Sequence, residues 1–199
     1  MLPAAWLAQA RTGAVILVNL TGWLHGYGQA RLTVLGSGNA VGEFLPGTIS
    51  FMTARRHAAP AIDHREALAA TGDGRPTAVG VDVLSDWTGR FVVQGALPTT
   101  THLTAAVGDG PTLDDPIAAD GSSATLLRQD DGSWHVREGG PTRLWEKAEH
   151  AIAAWRDAGS PAADAFRLCI TPAEQTVYLT GAELAWNLPP EPTAAPRPR

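Results

Sequence analysis

A single cysteine, Cys169, stands in 199 residues, so no disulfide can form within the chain, and a reducing cytoplasm is the expected setting. Lysine is equally scarce: Lys147 stands alone, and arginine supplies the rest of the 15 basic side chains. They form no basic tract. With 20 acidic residues the formal net charge is −5, which argues against nucleic acid or an anionic membrane surface as partner. No apolar run reaches the roughly 18 residues of a membrane span, and the chain opens with no signal-peptide pattern. What remains is a cytoplasmic, mildly acidic globular protein. Hydrophobic residues, at 44%, suffice for a real core. The abundance of Ala, Gly, Pro and Arg reads as the mark of a GC-rich genome rather than of a function.

The organising stretch is residues 3–20. Pro3 suits the first turn of a helix, where its missing N–H costs nothing. Trp6, Leu7 and Ala10 have the spacing of one buried helical face, and Gly13 is placed to end that helix in a left-handed cap. Ala14 to Leu20 then runs apolar without alternation, as a strand buried on both faces of a parallel α/β sheet does. Parallel neighbours need long crossovers. Only two residues precede the helix, so the segment reads as the end of a doubly wound domain.

After Leu20 comes a glycine-rich loop, Thr21 to Gly28, at the carboxyl end of that strand, where α/β proteins usually build their sites. Gln29–Leu35, Ala40–Leu45 and Thr48–Thr53 follow as antiparallel strands. Ala54–Pro76 reads as a connector, with a helical piece around His64 to Ala70. Thr77–Leu84, Arg90–Leu97 and Thr101–Val107 are expected strands, and Gly108–Asp120 an acidic loop. Ser123–Leu127 and Trp134–Arg137 form a hairpin around Asp130-Asp131-Gly132. The best-delimited helix is Thr142–Ala158, its stripe of Leu144, Trp145, Ala148, Ala151, Ile152 and Trp155 closed by Gly159-Ser160-Pro161. A hairpin of Phe166–Thr171 and Gln175–Leu179 follows, then a proline-rich tail expected to be disordered.

Few residues carry chemistry. Gly36-Ser37-Gly38-Asn39 follows a strand as a nucleotide-binding turn would, but Pro46-Gly47 forbids the helix such a turn needs, which favours a hairpin. Trp23, His25 and Tyr27 could flank a ligand, though surface-loop filler is the simpler reading. His57 and His64 are too far apart for a ligand pair, so no metal is expected. Asp109, Asp114, Asp115 and Asp120 lack the alternation of a calcium loop. Ser122-Ser123 has no histidine nearby in sequence, Trp145 and Trp155 read as core, and Cys169 as a small buried hydrophobe.

Residues 2 to about 56 resemble the last third of a protein-L-isoaspartate O-methyltransferase. Leu2-Pro3-Ala4-Ala5-Trp6-Leu7-Ala8-Gln9-Ala10-Arg11-Thr12-Gly13 stands where the family has I-P-x-A-W-x-x-Q-x-x-x-G-G, before the buried fifth strand of a class I (Rossmann-like) methyltransferase fold. Gly42-Glu43-Phe44-Leu45 and Ser50-Phe51-Met52 match G-x-F and F-M-P. Residues 77 to 188 resemble the extra C-terminal domain of an actinobacterial branch often found with peptide-modifying systems, on Gly140-Pro141-Thr142-Arg143-Leu144-Trp145, Trp155 with Gly159-x-Pro161, and Phe166-Arg167-Leu168 leading to Thr171.

The resemblance implies an α/β chain in which the C-terminal remnant of a class I methyltransferase sheet (1–56) is followed by a connector (57–76), a small α+β domain (77–188) and a tail (189–199). It implies transfer of a methyl from S-adenosylmethionine to the carboxyl of isoaspartyl or aspartyl residues in proteins or peptides, chemistry that depends on proximity more than on a strong base. Phe51, Met52 and Thr53 would line the substrate; as closing-strand residues, Phe51 and Met52 read equally as core. No catalytic, cofactor-binding or metal residue is assigned. Three departures stand out: Ala14 replaces the second glycine, Thr53 replaces the proline after F-M, and the family's cofactor half is absent. That half carries the glycine-rich turn, the acidic ribose ligand and the serine region. The chain alone is therefore expected to hold no cofactor and to be inactive without a partner half. The alternative is a non-catalytic peptide-binding or scaffold module.

Overall fold

The computed structural model describes residues 2–50, 59, 74–106, 112–118 and 120–189. It is a mixed α/β structure in which every described strand pairing is antiparallel. Two compact units divide it: Met1–Thr21, Tyr27–Ala58 and Ala162–Arg199 form one, Gly22–Gly26 and Ala59–Pro161 the other. Among the described residues no helix is long and apolar enough to cross a membrane.

The first unit is a six-stranded sheet. Helix α1 (Ala4–Gln9) leads into β1 (Val15–Leu20), β2 (Gly28–Gly36) and β3 (Asn39–Phe44); the late strands β9 (Phe166–Ile170), β10 (Gln175–Leu179) and β11 (Ala185–Asn187) complete the order β1-β2-β3-β9-β10-β11. β3 pairs directly with β9, Ala40 facing Ile170 and Glu43 facing Arg167. The sequence assigned β9–β11 to a separate 77–188 domain; in the structure they continue the sheet begun by residues 15–44. Alternation explains the assembly: Ala30, Leu32, Val34, Ala40, Phe44, Leu168, Ile170, Val177 and Leu179 line one buried face. Leu2 joins this core through Gln175, whose side-chain Oε1 accepts from the Leu2 N–H at 2.8 Å while its Nε2 donates to the Leu2 carbonyl at 2.7 Å. A buried amide thus stands in for a strand partner.

Three readings of this region need correction. β1 is not a central strand with parallel neighbours but, among the described strands, the outermost of an antiparallel sheet, with Val15 and Leu17 53% and 60% exposed. The apolar run misled because it is uncharged on both faces, whereas only one face meets the core. Helix α1 stops at Gln9, with Ala10 already extended, and buries Leu7 while Trp6 stays 49% exposed. Gly13 is left-handed (φ 82°) as expected, but it turns the chain into β1, donating its N–H to the Val34 carbonyl at 2.8 Å. Thr48–Ser50 belongs to no strand; Phe51, Met52, Thr53, most of the connector and nearly all of the tail lie outside the described residues.

The second unit holds a five-stranded sheet in the order β4-β8-β7-β6-β5. Its strands are β4 (Arg75–Thr77), β5 (Thr100–Ala106), β6 (Thr112–Ala118), β7 (Ser123–Arg128) and β8 (Trp134–Gly139), with helices α2 (Trp87–Ala96) and α3 (Leu144–Asp157). The strand expected at Arg90–Leu97 is α2. Asp86 caps it, accepting the Gly89 N–H at 2.6 Å, and this cap outweighs the strand preference of Phe91-Val92-Val93. The strand expected at Thr77–Leu84 shrinks to β4 and a 3-10 turn at Val81–Leu84, and most of the supposed acidic loop is β6. α3 falls within its expected limits, starting two residues later and ending one residue earlier. It closes in a Schellman motif: the Ser160 N–H reaches the Trp155 carbonyl and the Gly159 N–H the Arg156 carbonyl, both at 2.9 Å. The hairpins at Asp130–Gly132 and Pro172–Glu174 also stand where the sequence put them.

Candidate functional site

The densest charged constellation lies in the second unit, on residues the sequence did not connect. β4 and β8 are neighbours, and α3 packs against the same sheet, which brings Arg75, Thr77, Glu138 and Glu149 together. Arg75 Nη1 and Nη2 donate to the two oxygens of Glu149 at 2.9 and 2.6 Å, a two-pronged pairing that fixes orientation as well as charge. Nη2 also donates to Glu138 Oε2 at 3.0 Å. Thr77 Oγ1 donates to Glu149 as well. Burial alone would raise the Glu149 carboxyl, but the hydrogen bonds from Arg75 and Thr77 outweigh it and hold the group below its usual range. In return the hydrogen bonds to Glu149 and then Glu138 push the Arg75 guanidinium further up, against the effect of burial.

Glu138, almost fully buried, has a second duty. Its Oε1 accepts the Trp145 N–H at 2.8 Å, capping the first turn of α3, where Arg143 supplies no side-chain cap. Trp145 is itself fully buried and donates its indole N–H to the Val79 carbonyl at 2.8 Å. A smaller network holds the entry to the same helix. Asp120 accepts from the Ser122 N–H at 2.9 Å and the Thr142 hydroxyl at 3.0 Å, and Ser122 Oγ accepts the Thr142 N–H at 2.9 Å. Every polar partner here is internal to the fold. Chemically, this is a clamp.

The glycine-rich loop after β1 behaves similarly. Gly22–Gly26 belongs to the second unit and surrounds the buried side chain of Gln94 on α2. Gln94 Oε1 accepts the Leu24 N–H at 2.6 Å, and its Nε2 donates to the Leu97 carbonyl at 3.2 Å. A Cβ on Gly26 would come within 2.7 Å of Gln94 Cβ and 2.8 Å of the Arg90 carbonyl. The glycines are there for close packing. Gly36–Asn39 is a hairpin turn, with Ser37 and Gly38 at φ 52° and 77°, the signature of a primed turn. Of the two described glycine-rich segments, one is thus filled by Gln94 and the other joins β2 to β3.

The remaining candidates are dispersed. His25 is exposed in the left-handed region (φ 58°), with Trp23 and Tyr27 half-buried beside it in sequence. Asp114 and Asp115 lie on β6, Asp120 is engaged as described, and Asp109, His57 and His64 lie outside the described residues. Among the described residues no group of three or more His, Cys, Asp or Glu side chains could hold a metal ion. Ser123 Oγ is buried without a hydrogen-bond partner among them. Trp145 and Trp155 are core, as their helical stripe implied. Cys169 is half-buried on β9. Phe51, Met52 and Thr53, the substrate-lining trio implied by the family resemblance, are outside the described residues.

A scan against protein-family models, a search of curated proteins and a search of solved structures each find no match.

Proposed function

We propose that the chain is the substrate-side portion of an S-adenosylmethionine-dependent carboxyl O-methyltransferase-like protein of the cytoplasm, acting on isoaspartyl or aspartyl residues of a protein or peptide. A separate class I methyltransferase half would supply the cofactor. The observation that supports the reading is β1: the residues resembling the methyltransferase motif, Leu2–Gly13, run into an uncharged strand to whose outer side no described strand pairs. A further half-sheet would add there. The cofactor, when bound to that half, supplies the electrophilic methyl. This chain's part is to hold the acceptor peptide, with Phe51, Met52 and Thr53 as the lining residues.

One observation favours a second reading, a non-catalytic peptide-binding or scaffold module. The best-built polar groups, Arg75, Glu138, Glu149 and Gln94, hold the fold together.

Calorimetric titration of the 199-residue chain separates the two. The ligands are S-adenosylmethionine, an isoaspartyl peptide and its aspartyl twin. Preference for the isoaspartyl peptide, with no cofactor binding, is the result expected of a methyltransferase portion. Equal binding of both peptides favours the module. Binding of neither overturns both readings, and tight cofactor binding overturns the need for a second half.

A further inference from the structure

Natural sheet edges are blunted by charges, prolines, bulges or covering elements. β1, Val15-Ile16-Leu17-Val18-Asn19-Leu20, has no charge and no proline over six residues, and its pairing with β2 is regular throughout. Its side chains are apolar on both faces of the sheet except Asn19 on the outer face, whose Oδ1 is buried without a hydrogen-bond partner among the described residues. On the outer face Val15 and Leu17 are more than half exposed; on the inner face Ile16 and Val18 are only half-buried, although their neighbours Leu32 and Ala30 on β2 are fully covered. Among the described residues, no strand covers the core at this edge.

Main-chain geometry defines what would fit. The Val34 N–H donates to the Ala14 carbonyl at 2.9 Å. Antiparallel alternation then turns Ile16, Val18 and Leu20 toward β2 and leaves the N–H and C=O groups of Val15, Leu17 and Asn19 on the free side. Charge narrows the occupant. The exposed cation next to this edge, Arg31 opposite Leu17, is paired with Glu43 at 3.8 Å within the same sheet. A charged strand would find no unpaired cation opposite Leu17 and would set its charge against that side chain. An uncharged strand meets no such penalty, and among the described strands β1 itself is uncharged and apolar at every position but Asn19.

We propose that β1 pairs antiparallel with β1 of a second copy, across a two-fold axis perpendicular to the sheet at Leu17. Such an axis keeps each face on its own side, so outer face meets outer face and inner meets inner, with Asn19 the one polar side chain in the pairing. Leu17 then lies opposite Leu17 of the second copy, Val15 opposite its Asn19, and Ile16 opposite its Val18. The outward groups of Val15, Leu17 and Asn19 exchange about six main-chain hydrogen bonds, two for each bonded pair. The inference is independent of the functional reading above: it concerns the chain by itself, and a cofactor half would compete for the same edge.

Sedimentation equilibrium of the full chain over a wide concentration range tests it, with folding of each variant checked by circular dichroism. A monomer–dimer equilibrium is expected. Leu17→Lys, a change at a well-exposed position, weakens the dimer at least tenfold by placing two ammonium groups face to face. Val41→Lys, on the same outer face but on the interior strand β3 and 44% exposed, leaves it intact. In a Cys169→Ser background, Leu17→Cys yields a disulfide-linked dimer on mild oxidation and Val41→Cys does not. Paired Leu17 Cα atoms would lie about 5.5 Å apart, within disulfide range. A monomer at every concentration overturns the proposal. So does a dimer that survives Leu17→Lys or that Val41→Lys dissolves equally.

Discussion

Glu138 shows how one side chain can hold two elements. Its oxygens are divided between the Arg75 guanidinium and the Trp145 N–H, so truncation removes a helix cap and half of an ion-pair triad at once. Glu138→Ala is expected to cost about 2–3 kcal/mol, the scale of a buried group left unsatisfied, measured as a lower urea midpoint. Glu149 sets a pH dependence. Its carboxyl is held below the usual range by Arg75 and Thr77, so the ionised form is favoured by folding. That stability is fully present above the unfolded value, near 4.5, and is lost as pH falls through the lower folded value. Thermal midpoints of the native chain should fall on acidification below that point more steeply than those of Glu149→Gln. Nothing local in the sequence announces this cluster: Arg75 and Glu149 are 74 positions apart, and it takes both the pairing of β4 with β8 and the packing of α3 on that sheet to unite them with Glu138.

At the scale of elements, two glycines with nearly the same backbone angle have different work. Gly159 (φ 85°) ends α3 with open space around it, whereas a Cβ on Gly140 (φ 87°) would come within 2.6 Å of Ser122 Cα. Gly159→Ala should cost about 1 kcal/mol, the left-handed strain alone; Gly140→Ala should cost clearly more, because the backbone of Ser122 must move. Thermal unfolding of the two variants makes the comparison. α3 and the hairpins were legible in the sequence because local signals agreed: an apolar stripe, a Gly-Ser-Pro stop, and Asp-Gly or Gly-rich turns. α2 was not, because Phe91-Val92-Val93 favours a strand by composition while the deciding group, the Asp86 cap, is a single side chain. The run at 15–20 was rightly read as a strand, but nothing local tells an edge from a centre. The candidate site was less legible still. The glycines after β1 look like a ligand loop until Gln94, some 70 residues later, is seen to fill them.

For the molecule as a whole, the first unit is discontinuous in sequence. β3 finds its neighbour in β9, and the buried face seats Phe44 with Phe166 and Leu168. A chain truncated after Pro161 loses three strands of six, and its first unit is expected to lose cooperative unfolding, read by hydrogen exchange at Leu32 and Val34, while amides of β7 and β8 keep their protection. The same arrangement has a consequence during synthesis. β3 ends at Phe44 and β9 begins at Phe166, so at about 5–20 residues per second the nascent strand waits on the order of ten seconds for its partner to leave the ribosome. Throughout that interval the β1–β2–β3 meander has two open edges instead of one. Slowing translation between codons 45 and 165 should therefore lower the soluble yield of this protein, and a holdase chaperone should restore it.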